Sequence, residues 1–231
     1  MATLQAEKVS KRYAVRGIET WALQGVTLAI EPGEFIALAG PSGSGKTTLL
    51  NLFGALDAPT SGAVSLDGQD LALLSRSQLA ALRLAKLGFV FQAFNLIPVL
   101  SARENVEFVM ELQGSPAAER RERALAVLGE VGLAELADKR PLEMSGGQQQ
   151  RVAIARAIAS SPRVVLADEP TANLDSVTAG KLIDLMERLN RERGVTFLFS
   201  THDPRVIERA RRVVRLRDGS VVADERDVPA S

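Results

Sequence analysis

The stretch from Gly40 to Thr48 has the residue types and the spacing of a loop that binds phosphates. It fits the pattern G-x-x-x-x-G-K-[ST] and follows an apolar run at Phe35–Ala39, which predicts a buried strand before the loop. Glycines let backbone N–H groups turn toward a polyphosphate, Lys46 adds positive charge, and the Thr47 hydroxyl can bind Mg²⁺. A glycine-rich turn without a ligand would leave Lys46 unexplained. The predicted phosphate-binding residues are Gly40, Pro41, Ser42, Gly43, Ser44, Gly45, Lys46, Thr47 and Thr48.

Two adjacent carboxylates follow a second apolar run. The segment Arg163–Pro170 predicts a buried strand that ends in Asp168 and Glu169 and is stopped by proline. Once the phosphate loop is present, Asp168 is in the position of a residue that holds Mg²⁺. Glu169 could orient and deprotonate an attacking water molecule.

The only histidine, His202, follows a third predicted strand, at Val195–Phe199. Lone histidines are usually structural. However, the carboxyl ends of strands are where α/β proteins place their ligands, so His202 is a candidate site residue.

Ser145–Gln148 predicts a second helix start that could receive an anion. Ser145 has the residue type of an N-cap, and a helix follows through Gln150–Ser160. Most Ser-Gly-Gly turns bind nothing, so the motif alone is weak. A second anion-ready helix start in one chain nevertheless requires an explanation.

The elements that must position these residues fall into two kinds. Alternating apolar residues at Leu4–Tyr13 and Trp21–Ile30 predict an antiparallel β layer, which a hairpin at Ala63–Leu66 completes. The middle third is predicted to be helical, at Ser101–Gln113 and Ala117–Val131. Tyr13 could be a half-buried strand aromatic, or its ring could stack on an adenine.

Two further segments are ambiguous. After a short strand at Gly88–Phe91 and Gln92, the loop Ala93–Leu100 is apolar and either fills a local core or forms a patch that receives another protein. Arg205–Arg217 holds six arginines, and a helix carrying them would be strongly basic. A solvated face is favoured there over a binding patch.

Composition excludes several classes of site and partner. The 231 residues include 28 Lys+Arg and 28 Asp+Glu, so no net field attracts nucleic acid. The chain has no cysteine, which excludes disulfides, thiolate metal sites and thiol nucleophiles. The apolar stretch Leu87–Ala102 contains polar residues and a proline, so no segment is expected to cross a bilayer.

Taken in order, these motifs resemble those of the ATP-binding subunit of ABC transporters, over essentially the whole chain. Gly40–Thr47 matches the Walker A loop, Val164–Glu169 matches Walker B, and Ser145–Gln148 matches the signature motif. Four single residues match as well. Gln92 corresponds to the Q-loop glutamine, Asp175 to the D-loop aspartate and His202 to the switch histidine, while Tyr13 matches the aromatic that stacks on adenine.

The resemblance implies an α/β fold, a P-loop NTPase core with an antiparallel β subdomain and an inserted α-helical subdomain. It implies one ATP-binding domain over residues 1–231, with the helical subdomain at about 93–160. ATP and Mg²⁺ are the implied cofactors. Lys46, Gln92, Glu169 and His202 are the implied catalytic residues, and Thr47, Gln92 and Asp168 are the implied metal site. Asp175 and the signature residues Ser145, Gly146, Gly147 and Gln148 join the implied nucleotide site.

The family also implies partners. Two subunits stack head to tail, so that the phosphate loop of one and the signature of the other enclose ATP in a homodimer. A membrane permease-type subunit would dock near Phe94, Leu96, Ile97 and Leu100, which implies a peripheral location at the cytoplasmic face of the inner membrane.

Segments such as Leu56–Gly62 and Ala167–Asp175 look most like the macrolide-export and lipoprotein-release branch. Met144 and Ala172 depart from that branch, which usually has leucine and glycine there. An ATP-gated regulator of a membrane-anchored cell-division or cell-wall complex is the alternative. A soluble ABC ATPase fits less well, because the chain lacks coiled coils and a second Walker A motif.

Overall fold

Two β-sheets and a set of α-helices make up the part of the chain that the structure, a computed structural model, describes, which is residues 2–15 and 18–226. The strands are β1 (Leu4–Val15), β2 (Ile18–Ile30), β3 (Phe35–Ala39), β4 (Ser61–Leu66), β5 (Gln69–Asp70), β6 (Leu87–Val90), β7 (Val164–Asp168), β8 (Thr196–Thr201), β9 (Arg212–Arg217) and β10 (Ser220–Arg226). The helices are α1 (Lys46–Phe53), α2 (Arg76–Lys86), α3 (Ala102–Leu112), α4 (Ala117–Glu130), α5 (Gly146–Ala159), α6 (Ser176–Arg193) and α7 (Pro204–Ile207).

The central sheet has six strands in the order β10-β9-β3-β8-β7-β6. All neighbours are parallel except the edge pair β9 and β10. Strands β3 and β8 are buried along their whole length, as the continuous apolar runs predict for a parallel sheet covered on both faces. This confirms the predicted α/β core and brings the carboxyl ends of β3, β7 and β8 to one edge of the sheet.

The core lies on both sides of this sheet because side chains alternate along each strand. In β3, Phe35 and Ala37 face a cluster that includes the middle helices. Ile36 and Leu38 face a second cluster, formed with α1 and the antiparallel strands. The rings of Phe35 and Phe199 pack together at 4.9 Å between centroids, so the strands that lead to the site rest on a tightly filled interior.

The second sheet is antiparallel, in the order β2-β1-β4-β5, and confirms the predicted β layer. The hairpin between β4 and β5 turns at Asp67 and Gly68, both at positive φ, as a two-residue hairpin turn requires.

Serine residues cap the starts of several helices. Ser75, Ser101 and Ser145 cap α2, α3 and α5, each with a glutamate or glutamine three residues later that closes a capping box. The predicted bounds of α3 hold to within one residue, and α5 begins directly after its predicted N-cap, Ser145. No helix of the described residues is long and apolar enough to cross a bilayer.

Only the first part of the arginine-rich segment is helical. Helix α7 ends at Ile207, and β9 then runs from Arg212 to Arg217. Its apolar residues at 213, 214 and 216 are buried against the sheet, and the branched valines among them favour a strand. Arg212 is 4% exposed and forms ion pairs with Glu34 and Asp224, so it is neither a solvated residue nor part of a binding patch.

Candidate functional site

A cleft of about 690 Å³ lies at the carboxyl edge of the central sheet, beside the start of α1 and the ends of β1 and β2. Predicted residues from five separate segments meet in it, although they are spread over 190 positions of the sequence. Its lining consists of Tyr13, Thr20, Trp21, Ala22, Pro41, Ser42, Gly43, Gly45, Lys46, Thr47, Thr48, Gln92, Asp168, Glu169, Ala172 and His202.

The loop before α1 can accept no side chain at two of its glycines. A Cβ on Gly45, which has φ of 103°, would lie 2.5 Å from the Ala22 carbonyl oxygen. A Cβ on Gly40 would lie 2.3 Å from the Leu216 carbonyl oxygen. The Ser44 hydroxyl is buried and has no hydrogen-bond partner among the described residues. A buried polar group of this kind is costly unless a ligand satisfies it, which fits a loop built to receive one.

Lys46 brings a nearly buried positive charge to this loop. Its side chain is 7% exposed, and its Nζ atom donates to the carbonyl oxygens of Gly40 and Pro41 at 2.8 and 3.0 Å. The same Nζ lies 4.0 Å from Oε1 of Glu169. The cleft therefore places the Lys46 ammonium between the start of α1 and the Glu169 carboxylate. The ammonium and the helix start both favour an anionic ligand.

Thr47 and Asp168 meet across the cleft. The Thr47 hydroxyl donates to Asp168 Oδ1 at 3.1 Å. Ser200, which pairs with Asp168 in the β7–β8 register, donates to the same oxygen at 2.6 Å and accepts from the Glu169 N–H at 3.0 Å. Hydroxyl and carboxylate oxygens are the donors that Mg²⁺ prefers. Ser200 was not predicted, because its role depends on strand register rather than on a motif.

Glu169 adopts an unusual backbone conformation, with φ of 46°, in the left-handed region. Its Oε1 lies 3.0 Å from Nδ1 of His202. The carboxylate side chain is 17% exposed and the imidazole 67% exposed, so the histidine reaches from solvent over a half-buried acid. Such local strain concentrates at functional sites.

The open end of the cleft carries aromatic side chains. Tyr13 is 38% exposed and donates its hydroxyl to Asp57 at 2.9 Å. Trp21, the only tryptophan, is 48% exposed, and its ring lies beneath the Arg12 guanidinium at 5.5 Å. Trp21 was not predicted as a site residue, although it borders a predicted strand.

The signature residues and Asp175 do not line the cleft. Ser145 caps α5 by accepting from the Gln148 N–H, and a Cβ on Gly147 would lie 2.4 Å from Thr178 Cγ2, so α5 begins close against α6. Asp175 caps α6, and hydrogen bonds from Thr178 lower the pKa of its carboxyl group. Within one chain, these residues lie outside the cleft lining.

The apolar loop after Gln92 has a mixed outcome. Ile97 lines an apolar groove of about 500 Å³, together with Phe89, Phe91, Phe108 and Leu112 among others. Leu96 instead packs against the main core, and the Phe94 ring lies beside Gly146. Phe94 and Leu100 are partly buried and do not line the groove. We call the groove that Ile97 lines the apolar groove.

Arg156 and Asn105 fix this loop. Arg156 donates to the carbonyl oxygens of Asn95 and Phe94. Both of these loop residues have a left-handed backbone conformation. Burial lowers the pKa of the Arg156 guanidinium. Asn105 is fully buried and bonds to the backbone of Ile97 through both its amide oxygen and its amide nitrogen. Neither residue was predicted from the sequence.

Comparison with known proteins gives a consistent family. The family model described as ABC transporter matches residues 23–172. The chain is 49% identical to the macrolide export ATP-binding/permease protein MacB of Syntrophobacter fumaroxidans, covering 96% of this chain and 31% of the relative. It is 48% identical to the lipoprotein-releasing system ATP-binding protein LolD of Anaeromyxobacter dehalogenans, covering 96% and 93%. The chain thus spans about a third of the length of the macrolide export relatives that it matches.

A solved structure shares the fold. The dimeric post-hydrolysis state of the ATP-binding cassette MJ0796, bound to ADP and Pi, superposes with a TM-score of 0.90 at 43% identity. The match covers 98% of this chain and 99% of that one. The cleft, the order of the motifs and these matches lead to one conclusion: the chain belongs to the ABC transporter family and is one of its ATPase cassettes.

Proposed function

We propose that this chain hydrolyses ATP in the cleft, and that the closing and opening of its ATP-bound dimer drive a separate membrane subunit. One observation carries the proposal. Lys46, the Thr47–Asp168 pair and the Glu169–His202 pair converge on a single cleft although they come from three distant segments. Lys46 and the two pairs correspond to three requirements of phosphoryl transfer, namely charge, a metal site and a base.

Each residue has a distinct proposed role. Lys46 and the Ser44 hydroxyl bind phosphate oxygens, and Glu169 takes the proton of the attacking water. His202 holds the Glu169 carboxylate in place through Nδ1. Gln92 also lines the cleft, and its proposed role is to sense the phosphates.

Mg²⁺ fits the residues present. Thr47 and Asp168 supply oxygen donors next to the phosphate loop, and Mg²⁺ is usually bound by one or two protein groups plus substrate phosphates. Thr47 and Asp168 would hold the ion, with Gln92 as a further donor. When bound, Mg²⁺ supplies positive charge to the phosphate oxygens.

We propose a homodimer in which each cleft is completed by the partner. The signature residues lie outside the cleft of their own chain, yet Ser145 at their helix start is exposed, and the start of a helix favours an anion. A two-fold pair places the same surface of each chain against the cleft of the other. The dimeric MJ0796 structure is in line with this arrangement.

The apolar groove is the proposed docking surface for the membrane subunit. It exposes aromatic and leucine side chains between α2, α3 and β6, and Ile97 belongs to it. We therefore place the chain at the cytoplasmic face of the inner membrane, as a peripheral subunit. The similarity to MacB and LolD proteins supports export or lipoprotein release as the driven process. The regulator of a cell-division or cell-wall complex remains the second candidate, because it would use the same surface.

ATPase activity of the purified chain with Mg²⁺ tests the proposal. Glu169→Gln should retain ATP binding and slow hydrolysis by ~10²–10⁴-fold, the usual range for loss of a general base. Glu122→Gln is the matched control, because Glu122 is an exposed glutamate on α4. Normal turnover in Glu169→Gln would remove Glu169 from the role. A wild-type chain that does not bind ATP would refute the proposed function itself.

A further inference from the structure

Lys11, Asp57 and Tyr13 form a hydrogen-bonded relay at the open end of the cleft. The Tyr13 hydroxyl donates to Asp57 Oδ2 at 2.9 Å, and Lys11 Nζ donates to Asp57 Oδ1 at 2.6 Å. Lys11 Nζ also donates to the Ala58 carbonyl oxygen and lies 4.9 Å from the centroid of the Tyr13 ring. The Tyr13 ring is therefore held by a hydrogen bond at its hydroxyl and by the Lys11 ammonium over its face. We call these three residues the Lys11–Asp57–Tyr13 relay.

The relay has a reason to be ordered in the free protein. Lys11 and Tyr13 are two residues apart on β1 and so lie on the same face of the strand. The Lys11 side chain is only 13% exposed, and an ammonium group at that depth needs a partner. Burial opposes ionisation of Asp57, but hydrogen bonds from Lys11 and Tyr13 outweigh it and lower the pKa of its carboxyl group.

The loop that carries Asp57 is tied to the helix that begins at Lys46. The N–H groups of Leu56 and Asp57 both donate to the carbonyl oxygen of Asn51, which lies in α1. A few residues on, the Thr60 N–H donates to the Ser10 carbonyl oxygen on β1. These bonds fix the position of the Tyr13 ring relative to the phosphate loop.

We infer that the relay presets the Tyr13 ring as a stacking platform, which makes Lys11 and Asp57 positioning residues for the base of a bound nucleotide. The inference rests on the proposed function, because it requires a nucleotide in the cleft. Lys11 and Asp57 do not line the cleft themselves, so they act through Tyr13. A ring that is already oriented loses less conformational freedom on binding, which strengthens binding without a new contact.

This mechanism predicts a specific pattern of ligand dependence. Stacking on an aromatic ring is tolerant of base identity. ATP and GTP should therefore depend on the relay to a similar extent. Inorganic tripolyphosphate, which has phosphates and no base, should not depend on it at all.

The test compares dissociation constants of ATP and tripolyphosphate, each with Mg²⁺, by titration calorimetry. Lys11→Met keeps the aliphatic stem and removes the ammonium group. We expect it to weaken ATP binding about 2- to 10-fold, which corresponds to freeing one side chain, and to leave tripolyphosphate binding unchanged. The double variant Lys11→Met/Asp57→Ala should weaken ATP binding about as much as either single change. The effects are not additive, because the three groups act as a unit.

Lys86→Met is the matched control. It removes another lysine–aspartate ion pair, with Asp67 at 2.8 Å, and neither residue of this pair lines the cleft. It should leave the affinity for both ligands unchanged. Equal losses for ATP and tripolyphosphate in Lys11→Met would show a general structural effect and overturn the inference, as would unchanged ATP affinity. If the wild type bound neither ligand, the proposed function would fail first.

A spectroscopic readout checks the relay without any ligand. Tyr13 is the only tyrosine, so ultraviolet difference absorbance during alkaline titration reports its phenol alone. Burial raises the pKa of Tyr13, the hydrogen bond to Asp57 adds to this effect, and the Thr48 hydroxyl opposes it. The Lys11 ammonium also lies over the ring, 4.9 Å from its centroid. Asp57→Ala should lower this pKa toward its ordinary value. An unchanged titration curve would mean that Tyr13 does not donate to Asp57 and would overturn the relay.

Discussion

His202 Nδ1 and Glu169 Oε1 lie 3.0 Å apart, which couples the only histidine of the chain to the carboxylate at the end of β7. The imidazole tautomer with its proton on Nδ1 donates to Glu169 and leaves Nε2 as an acceptor. The Glu169 peptide is itself held by Ser200, which accepts from its N–H. The position of the acid is thus determined from both ends, by its backbone and by its side chain.

From this contact we expect His202→Ala to lower kcat by ~10²-fold, at the lower end of the cost of losing a positioned acid–base group. The KM for ATP should change little, because Lys46 and the phosphate loop are untouched. Steady-state kinetics at several ATP concentrations measures both quantities. His202→Asn should recover part of kcat, since its amide can donate near the position of Nδ1. A rise in KM with constant kcat would instead indicate that His202 only binds the nucleotide.

Much of this site could be predicted from local sequence. The phosphate loop is continuous, and the apolar runs before Asp168 and His202 are buried strands whose ends share one edge. Sequence order alone does not give strand register, so Ser200 was not found. Asp57 was missed for a similar reason, because its partners Lys11 and Tyr13 are more than 40 positions away.

Two other features could not be predicted from the sequence, for physical reasons. Arg212 belongs to a run of arginines, and only the burial of its neighbours in β9 shows that it is an internal ion-pair partner. Leu96 and Ile97 are adjacent and equally apolar, yet one contributes to the core and the other to the apolar groove. The two residues directly before them, Phe94 and Asn95, both lie in the left-handed region, and the pattern of apolar residues does not show how the chain turns there.

Mixing two inactive variants tests whether each cleft needs the signature of the partner. Lys46→Ala should weaken ATP binding about 10- to 100-fold, from loss of charged hydrogen bonds. Ser145→Glu should block the signature by placing a negative charge at the helix start. Neither variant should hydrolyse ATP alone, but a heterodimer of the two contains one intact site.

An equal mixture should therefore recover up to about a quarter of the wild-type rate, because half of the dimers are mixed and each has one of two sites intact. A mixture of Lys46→Ala with Glu169→Gln is the control. Both of these residues belong to the same side of a site, so no dimer in that mixture has an intact one. Recovery in neither mixture would mean that the signature acts within its own chain or not at all.

The apolar groove can be tested without disturbing the cleft. Phe108 and Leu112 are 38% and 57% exposed, so Phe108→Glu and Leu112→Glu together should leave the fold and the basal ATPase rate within about twofold of wild type. Capture from detergent-solubilised native membranes with ATP should lose the membrane subunit. Leu125→Glu, at an exposed leucine on α4 outside the groove, should retain it. Retention of the membrane subunit by the double variant would move the docking surface elsewhere.

The ion pair between Arg212 and Asp224 makes a prediction about stability and pH. The hydrogen bond from Arg212 holds the pKa of Asp224 below its ordinary value, although partial burial opposes it. A carboxylate with a lowered pKa in the folded state stabilises the fold above its unfolded pKa, near 3.9, and loses that contribution as the pH falls through its folded pKa. Asp224→Asn should therefore reduce the free energy of unfolding by about 1 kcal/mol at pH 7, since the pair is partly exposed.

The difference between wild type and Asp224→Asn should then shrink as the pH is lowered below about 4, where the wild-type carboxyl group is progressively protonated. Urea unfolding at a series of pH values measures this difference, and the other titrating groups cancel because both proteins contain them. Asp138→Asn serves as the control, at an aspartate that is 87% exposed, and should change stability little at any pH. If the difference for Asp224→Asn stayed constant as the pH fell, the strand pair β9–β10 would be held by its backbone bonds, and the charge of Asp224 would contribute nothing.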